Sequence, residues 1–140
     1  MMGFKQAPYI MLNGQAADAL EFYKNVFGGT VELSRYRDMP IEGMQGDPDW
    51  VMHGQVELDN GITIMASDGP EDRTGKSKVE ICVYGDDKDE LEQFFHGLHN
   101  GGSVELPFEP SPWGSWFGQV VDPFGVTWMV EGGEAPAESA

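Results

Sequence analysis

Gly28-Gly-Thr-Val-Glu-Leu33 and Gly101-Gly-Ser-Val-Glu-Leu106 are two nearly identical stretches that begin 73 residues apart in a chain of 140 residues. Each glycine pair follows a run with helical periodicity and precedes alternating apolar and polar residues, which is typical of a helix ending where a strand begins. Self-similarity at a fixed spacing indicates a duplicated module. The sequence therefore predicts two copies of one supersecondary unit.

The first copy is predicted to contain a strand, a helix and three further strands. Tyr9–Leu12 is a short apolar run, as a buried strand would be. In residues 16–27 apolar side chains recur every three or four positions, which predicts a helix with one buried stripe. Asn60-Gly61 tolerates positive φ at both positions and predicts a tight hairpin between two of the strands. The three strands are predicted at 30–36, 51–58 and 62–66.

The second copy repeats this order after the polar segment 67–78, which is punctuated by glycine and proline. A helix is predicted at 86–98. The strands are predicted at 79–84, 103–108, 117–121 and 126–131. The chain is thus expected to form one domain over residues 1–132, with modules near 7–68 and 78–132 and a disordered tail at 133–140.

Two such modules predict an α+β fold, because a four-stranded sheet with one helix has one covered face and one bare face. Set edge to edge, the two βαβββ modules would form a curved eight-stranded mixed sheet with the helices on the convex side. The concave side would then offer a groove for a ligand.

The composition argues against several classes of partner. The chain has 24 acidic and 8 basic residues and a formal net charge of −16. Such a surface repels nucleic acid and anionic membranes, because both are bound through clustered Lys and Arg. No apolar run approaches the roughly 18 residues of a membrane span, and the N-terminus lacks a signal-peptide pattern. A single cysteine, Cys82, suits a reducing compartment, so we expect a cytoplasmic protein in which Cys82 packs within its strand rather than acting as a nucleophile.

The order and spacing of the motifs in this chain resemble those of a known family. The motifs are Pro8-Tyr9, Asn13-Gly14, Ala19-Leu-Glu-Phe-Tyr23, Phe27-Gly28-Gly29, Met52-His53, Ala66-Ser67-Asp68 and the run Trp113-x3-Phe117-Gly118-x3-Asp122-x-Phe124-Gly125-Val126-x-Trp128-Met129. Together they resemble the PhnB-like (demethylubiquinone methyltransferase-like) branch of the vicinal-oxygen-chelate (glyoxalase/bleomycin-resistance/dioxygenase) superfamily. The resemblance implies that superfamily's fold, a concave ligand site and usually a homodimer.

In metal-dependent members of that superfamily, four side chains hold a divalent cation that chelates two substrate oxygens. The resemblance puts Pro8 in the first ligand position, Met65 within one residue of the second, Val79 or Glu80 in the third and Met129 in the fourth. Proline and methionine cannot replace histidine and glutamate as ligands of a hard or borderline cation. We therefore expect no metal site and no cofactor.

The polar candidates have competing interpretations. His53 is either the general base of an enzyme or a structural histidine. Asp68 could face the groove or cap the turn that follows it, whereas Asp122 fits turn chemistry. His96 and His99, three residues apart on the second helix, could present a metal pair. With no third ligand in view, we expect them to face solvent and His99 to complement the helix dipole.

The predicted groove combines apolar walls with a few polar groups. Aromatic residues on a loop beside a pocket commonly line ligand sites, although Trp113 and Phe117 could equally pack in the core or at a dimer contact. The apolar walls would be Ile10, Leu12, Met65, Trp113, Phe117 and Met129, and the polar groups His53, Asp68 and Glu131.

We predict a metal-independent protein that binds a small molecule. One alternative is a bleomycin-resistance-type protein that sequesters a cationic antibiotic, which the acidity and the aromatic cluster would suit. Another is a metal-dependent glyoxalase- or dioxygenase-type enzyme whose ligands lie elsewhere in the chain. Methyl transfer is disfavoured, because the sequence lacks the Gly-rich strand-to-helix turn that binds S-adenosylmethionine.

Overall fold

The computed structural model of the chain describes residues 7–38, 46–70 and 79–134. The chain divides into two compact units, residues 1–73 and 74–140, and each contains one four-stranded mixed sheet and one helix. The predicted α+β class and the two βαβββ modules are therefore confirmed.

The first module contains β1 (Tyr9–Leu12), α1 (Ala16–Phe27), β2 (Gly29–Arg35), β3 (Val51–Leu58) and β4 (Thr63–Asp68). The strand order is β1-β4-β3-β2, in which β1 and β4 are parallel and the other neighbours are antiparallel. β4 extends two residues beyond its predicted end, because its last two residues pair with the last two of β1.

The second module contains β5 (Ile81–Gly85), α2 (Lys88–His99), β6 (Ser103–Pro110), β7 (Trp116–Val121) and β8 (Thr127–Gly132). Its strand order, β5-β8-β7-β6, repeats the connectivity of the first module. α2 begins two residues later than predicted, because the carboxylate of Asp87 accepts hydrogen bonds from the backbone N–H groups of Asp89 and Glu90 and caps the helix.

The glycine pairs that mark the repeat have the same structural role in both modules. Gly28 and Gly101 follow the helix ends with φ of 80° and 85°, a conformation that favours glycine. A Cβ on Gly29 would collide with a carbonyl oxygen of β3, and one on Gly102 with a carbonyl oxygen of β7. The first glycine of each pair turns the chain, and the second lets the new strand approach its neighbour closely.

Each helix packs on one face of its own sheet. Leu20 of α1 is fully buried and lies against Gly54 of β3, while Phe95 of α2 lies against Gly118 of β7. The buried apolar side chains of the strands include Val56, Ile64, Ala66, Val120, Trp128 and Val130. The opposite face of each sheet is left uncovered by its module's helix.

A hairpin joins the penultimate and last strands of each module, and in both hairpins one backbone hydrogen bond encloses a loop of three residues. In the first module the N–H of Leu58 donates to the carbonyl oxygen of Ile62 at 2.8 Å, and Gly61 has a φ of 91°. The loop that begins at Asp122 has the same pattern. Only glycines among the described residues have positive φ, so Asn60 does not adopt the predicted conformation. The hairpin is confirmed, but glycine closes a three-residue loop instead of a two-residue turn.

Asp122 has the turn role expected of it. Its Oδ1 accepts from the backbone N–H groups of Phe124 and Val126 at 2.9 and 3.0 Å, and its Oδ2 accepts from the indole N–H of Trp128 at 2.8 Å. Because Trp128 is buried, the carboxylate holds both the turn and a core side chain in place.

No helix among the described residues is long and apolar enough to cross a membrane. The N–H of Gly133 donates to the carbonyl oxygen of Gly85 at 3.0 Å, so backbone bonding continues one residue past β8. Residues 135–140 of the predicted tail lie outside the described residues, as do residues 71–78 of the predicted segment between the modules.

Candidate functional site

Strand register decides which side chains reach the uncovered face of the first sheet. Paired residues on neighbouring strands point to the same side, and successive residues alternate. Gly54, which lies beneath α1, pairs with Ala66, and Ala66 pairs with Ile10. Ile10 and Leu12 therefore face α1, so the prediction that they line the same surface as Met65 is wrong.

The face opposite α1 is called here the first open face. Its residues come alternately from β1, β3 and β4: Tyr9, Met11, His53, Gln55, Met65 and Ser67. The error arose because Tyr9–Leu12 is apolar throughout, so no alternation in the sequence marks its buried side. The pairing of Tyr9 with Met65 shows which side chains of β1 lie on the first open face.

His53 and Tyr9 meet on the first open face. Oη of Tyr9 lies 3.0 Å from Nδ1 of His53, and the ring centroids are 5.8 Å apart. Both residues are exposed. The Tyr9 hydroxyl orients the imidazole, and the second ring nitrogen, Nε2, is then the one that could exchange a proton with a ligand. Tyr9 was not among the predicted site residues, because the sequence analysis assigned Ile10 and Leu12 of β1 to the ligand-facing side.

Asp68 belongs to the framework of the first module. It is 2% exposed; its Oδ1 accepts from the N–H groups of Gly14 and Ala16 at 2.8 and 2.9 Å, and its Oδ2 accepts from that of Val51 at 3.0 Å. Ala16 begins α1, whose N-cap residue Gln15 makes no side-chain capping bond. Asp68 thus joins the starts of α1 and β3, and neither predicted role, facing the groove or capping the following turn, describes its bonds.

The second open face is the side of the second sheet opposite α2. Phe117 pairs with Glu131 and Gln119 with Met129, and these residues alternate with the buried residues beneath α2. The parallel strand β5 adds Cys82 beside Met129 and Tyr84 beside Glu131. The face consists of Cys82, Tyr84, Phe117, Gln119, Met129 and Glu131, with Trp113 bonded to it from a loop. Four predicted site residues, Trp113, Phe117, Met129 and Glu131, are therefore brought together.

Trp113 contacts this face from the loop between β6 and β7. Its indole N–H donates to Oε2 of Glu131 at 3.0 Å, and its ring meets Phe117 edge to face with centroids 5.5 Å apart. The Trp113 residue is nevertheless 62% exposed. Trp113 is therefore not a core residue, although core packing was one interpretation of this aromatic cluster.

Tyr84 and Gln119 extend the cluster beyond what the sequence indicated. Tyr84 pairs with Glu131 across β5 and β8 and is 79% exposed. The side-chain amide of Gln119 donates to Oε1 of Glu80 at 3.0 Å. Alternation along β5 and β7 contained this signal, but only the parallel pairing of β5 with β8 shows that Tyr84 lies beside Glu131.

Cys82 pairs with Met129 on the second open face and is exposed, so the prediction that it is a packing residue of its strand is wrong. Partial burial of its thiol, and then the negative charge of Glu131, raise the pKa of Cys82 above its ordinary value. The thiol is therefore protonated at neutral pH. A thiol in that state is a poor nucleophile, in agreement with the chemical part of the prediction.

The residues at the superfamily's metal positions do not fit a divalent cation. Pro8 has no side-chain donor, and Met65 and Met129 offer only thioethers, which suit soft ions. Glu80 offers one carboxylate, which accepts a hydrogen bond from Gln119. Over residues 7–38, 46–70 and 79–134, no three His, Cys, Asp or Glu side chains are grouped to hold a metal ion.

Comparison with known proteins agrees with this architecture. A family model described as 3-demethylubiquinone-9 3-methyltransferase matches residues 4–131. Protein PA1353 from Pseudomonas aeruginosa is 32% identical, with 94% of this chain and 98% of that one covered and a TM-score of 0.82. The PhnB protein from Bacillus cereus is 28% identical, with coverage of 90% and 97% and a TM-score of 0.73. A glyoxylase/bleomycin resistance protein/dioxygenase domain from Frankia sp. EAN1pec is 12% identical, with coverage of 98% and 96% and a TM-score of 0.66, and shares the fold.

Proposed function

Because the chain belongs to the 3-demethylubiquinone-9 3-methyltransferase family, the PhnB-like branch of the vicinal-oxygen-chelate superfamily, we propose that it binds a small organic molecule without a metal ion. The binding surface in this proposal is the second open face. The observation that carries it is Trp113, whose ring is exposed while its N–H is held by Glu131. Covering an aromatic ring contributes strongly to affinity, and a ring already held in place loses little entropy on binding.

The rest of the second open face supplies what an organic ligand needs. Phe117, which contacts the indole, and Met129 are half-buried apolar residues of this face. Glu131 offers acceptor oxygens, and the Tyr84 hydroxyl can both donate and accept. An apolar floor with a few oriented polar groups is the usual composition of a small-molecule site.

A thermal-shift screen of the purified protein tests this proposal. The panel contains neutral aromatic metabolites, organic cations and S-adenosylmethionine, which is included because the family's description names methyl transfer. A ligand that binds only the folded protein raises the melting temperature by mass action. We expect Trp113→Ala to abolish the shift given by each hit, and Ile62→Ala, which removes an exposed apolar side chain from the first module, to leave it unchanged. Hits that stabilise the Trp113→Ala protein as much as the wild type would refute the site.

A cationic ligand is the second candidate, in the manner of bleomycin-resistance-type sequestration of a cationic antibiotic. It is favoured by the position of one carboxylate, Glu131, next to Trp113, Phe117 and Tyr84, since aromatic faces and a carboxylate both attract organic cations. The net charge of −16 would add attraction at longer range. In this case affinity falls as salt is added and Glu131→Gln weakens binding, whereas a neutral ligand would tolerate both changes.

A metal-dependent glyoxalase- or dioxygenase-type enzyme is the third candidate, with His53 as general base. It would require metal ligands other than Pro8, Met65 and Met129. Elemental analysis of protein purified without chelators, repeated on His53→Ala, separates this candidate from the metal-independent one. A general base is not a metal ligand, so the enzyme should keep its metal in His53→Ala. Stoichiometric zinc, manganese or nickel that persists in His53→Ala and in His96→Asn would support the enzyme and contradict the proposal.

The proposal also includes a homodimer in the cytoplasm. Light scattering coupled to size-exclusion chromatography tests the oligomeric state, with a mass of twice 15.4 kDa expected for the dimer. A mass of 15.4 kDa at micromolar concentration would contradict it.

A further inference from the structure

His96 and His99 lie in the last turn of α2. They project from the helix and therefore do not belong to the second open face, which the strands of the same module form. Nδ1 of His96 is 3.3 Å from Nε2 of His99, and the ring planes are inclined at 73°. His96 is exposed and His99 is partly exposed. Two imidazole nitrogens are thus directed at each other at a place that solvent can reach.

The separation of these nitrogens matches that of two ligands of one tetrahedral zinc ion. Zn–N distances of about 2.0–2.1 Å and a tetrahedral angle place two coordinating nitrogens about 3.3–3.4 Å apart. Without a metal, one ring donates its N–H to the other. A metal would require both lone pairs, which become available when the donated proton moves to the other nitrogen of the same ring. Coordination therefore needs no net loss of a proton.

Packing holds the two rings in this arrangement. The ring of Phe95, which is buried, contacts His96 and His99 edge to face, with centroids 5.8 and 5.5 Å away. Phe95 is held in turn by Phe108 of β6, with centroids 5.5 Å apart. Side chains that already pack against a buried ring lose less entropy when they bind a metal. The C-terminal end of a helix also carries partial negative charge, which favours a cation there.

We propose that His96 and His99 form a binding site for a borderline divalent transition-metal ion, of the class Cu²⁺, Ni²⁺ and Zn²⁺, with water completing the coordination. Imidazole is a preferred ligand of these ions, and Cu²⁺ binds most tightly in the usual order of stability. The site revises our expectation that the pair merely faces solvent, which rested on the lack of a third ligand. It is independent of the proposed ligand site, since no residue is shared.

Isothermal titration of the untagged protein with Cu²⁺ tests the site, at a pH above the usual imidazole pKa of about 6.5. We expect one bound ion. His96→Asn and His99→Asn should each weaken binding at least about tenfold, because losing even a residue that only supports a metal ligand costs about tenfold or more in affinity. The matched control is His53→Asn, which removes the third and last histidine of the chain and should leave the affinity unchanged.

Circular dichroism of each variant confirms that the helix is retained, so that a loss of affinity reports the ligands. Equal affinity in wild type and both helix variants would overturn the proposal, as would a loss confined to His53→Asn. A ligand screen repeated on His96→Asn keeps the two sites distinct, because organic hits should be unaffected by this change whether or not Cu²⁺ binding is lost.

Discussion

Asp68 shows how one buried carboxylate can hold several elements together. Its two oxygens accept three backbone N–H bonds, from the chain before α1, from the first residue of α1 and from the first residue of β3. The bonding partners are 54, 52 and 17 positions away in the sequence. A short polar side chain therefore substitutes for a local helix cap, which Gln15 does not supply.

Replacing Asp68 should destabilise the first module strongly. We expect Asp68→Ala to lower the free energy of unfolding by about 3 kcal/mol, because three donors lose their partner in a buried place. Asp68→Asn keeps one oxygen acceptor and should lose about 1–2 kcal/mol. Urea unfolding followed by circular dichroism measures both. The control, Glu109→Ala, removes an exposed carboxylate and should stay within about 0.5 kcal/mol of wild type; an equally small effect of Asp68→Ala would contradict the framework role.

Glu131 should govern the reactivity of Cys82. Its negative charge is one of the two causes that raise the pKa of the thiol, after partial burial. Glu131→Gln removes the charge and keeps an oxygen that can accept from Trp113, so the pKa of Cys82 should fall and more thiolate should form at a given pH. Cys82 is the only cysteine of the chain, so its rate of alkylation by iodoacetamide as a function of pH reports this directly.

The expected result is faster alkylation of Glu131→Gln and a pH profile displaced to lower pH. Glu109→Gln, which removes an exposed charge from an edge strand, serves as the control and should leave the profile in place. Alkylation of Glu131→Gln that is unchanged or slower would contradict the assigned cause.

The helices and the strands that follow them depend on the repeated glycine pairs. In both modules the second glycine brings the strand so close to its neighbour that a Cβ would meet a backbone carbonyl oxygen. Backbone atoms cannot move aside as a flexible side chain can. This explains why Gly-Gly recurs at both junctions, where one glycine at a helix end would otherwise suffice.

Gly102→Ala should therefore disturb the pairing of β6 with β7. We expect the free energy of unfolding to fall by about 2 kcal/mol, in the range found for overpacked sites. Gly85→Ala is the matched control in the same module, because a Cβ there meets no atom within 4 Å and its φ is not in the left-handed region. It should stay within about 0.5 kcal/mol of wild type. Equal losses in the two variants would show that the close approach does not matter.

At the scale of the whole molecule, charge is the dominant feature. A formal net charge of −16 on a chain of 140 residues makes the folded state repel itself. Lys24 of α1 and Lys88 of α2 form ion pairs with acidic residues of their own helices, and both lysines are partly exposed. Exposed pairs of this kind contribute little to stability, so they do not offset the repulsion.

Added salt should stabilise the protein. Raising the ionic strength from about 0.01 M to 1 M shortens the screening length from about 30 to 3 Å. We expect the melting temperature to rise by several degrees, which corresponds to about 1 kcal/mol for a domain of this size. Differential scanning calorimetry in NaCl and in KCl measures the effect, and the two salts should agree if screening is the cause. A melting temperature that falls with salt would contradict self-repulsion as the main electrostatic contribution.

Much of the architecture could be predicted because its signals are local. The stripes of α1 and α2 repeat every three or four residues, and β3 has the bounds predicted for it. The residues of the second open face could also be grouped, because alternation along β7 and β8 puts Phe117, Met129 and Glu131 on one side. Strand ends were less predictable, since β4 is lengthened only by its pairing with β1.

By itself, the sequence determined the repeated βαβββ module, through the two Gly-Gly junctions and the periods between them. Only the tertiary structure decided which side of β1 faces α1, that Tyr9 meets His53, and that Asp68 joins α1 to β3. The physical reason is distance along the chain. Tyr9 and His53 are 44 positions apart, and Gly14 and Asp68 are 54 apart, so no local period can encode their contact. Strand register sets the positions of these residues. In a uniformly apolar strand such as β1, only the pairing with the neighbouring strand shows which side chains face the helix.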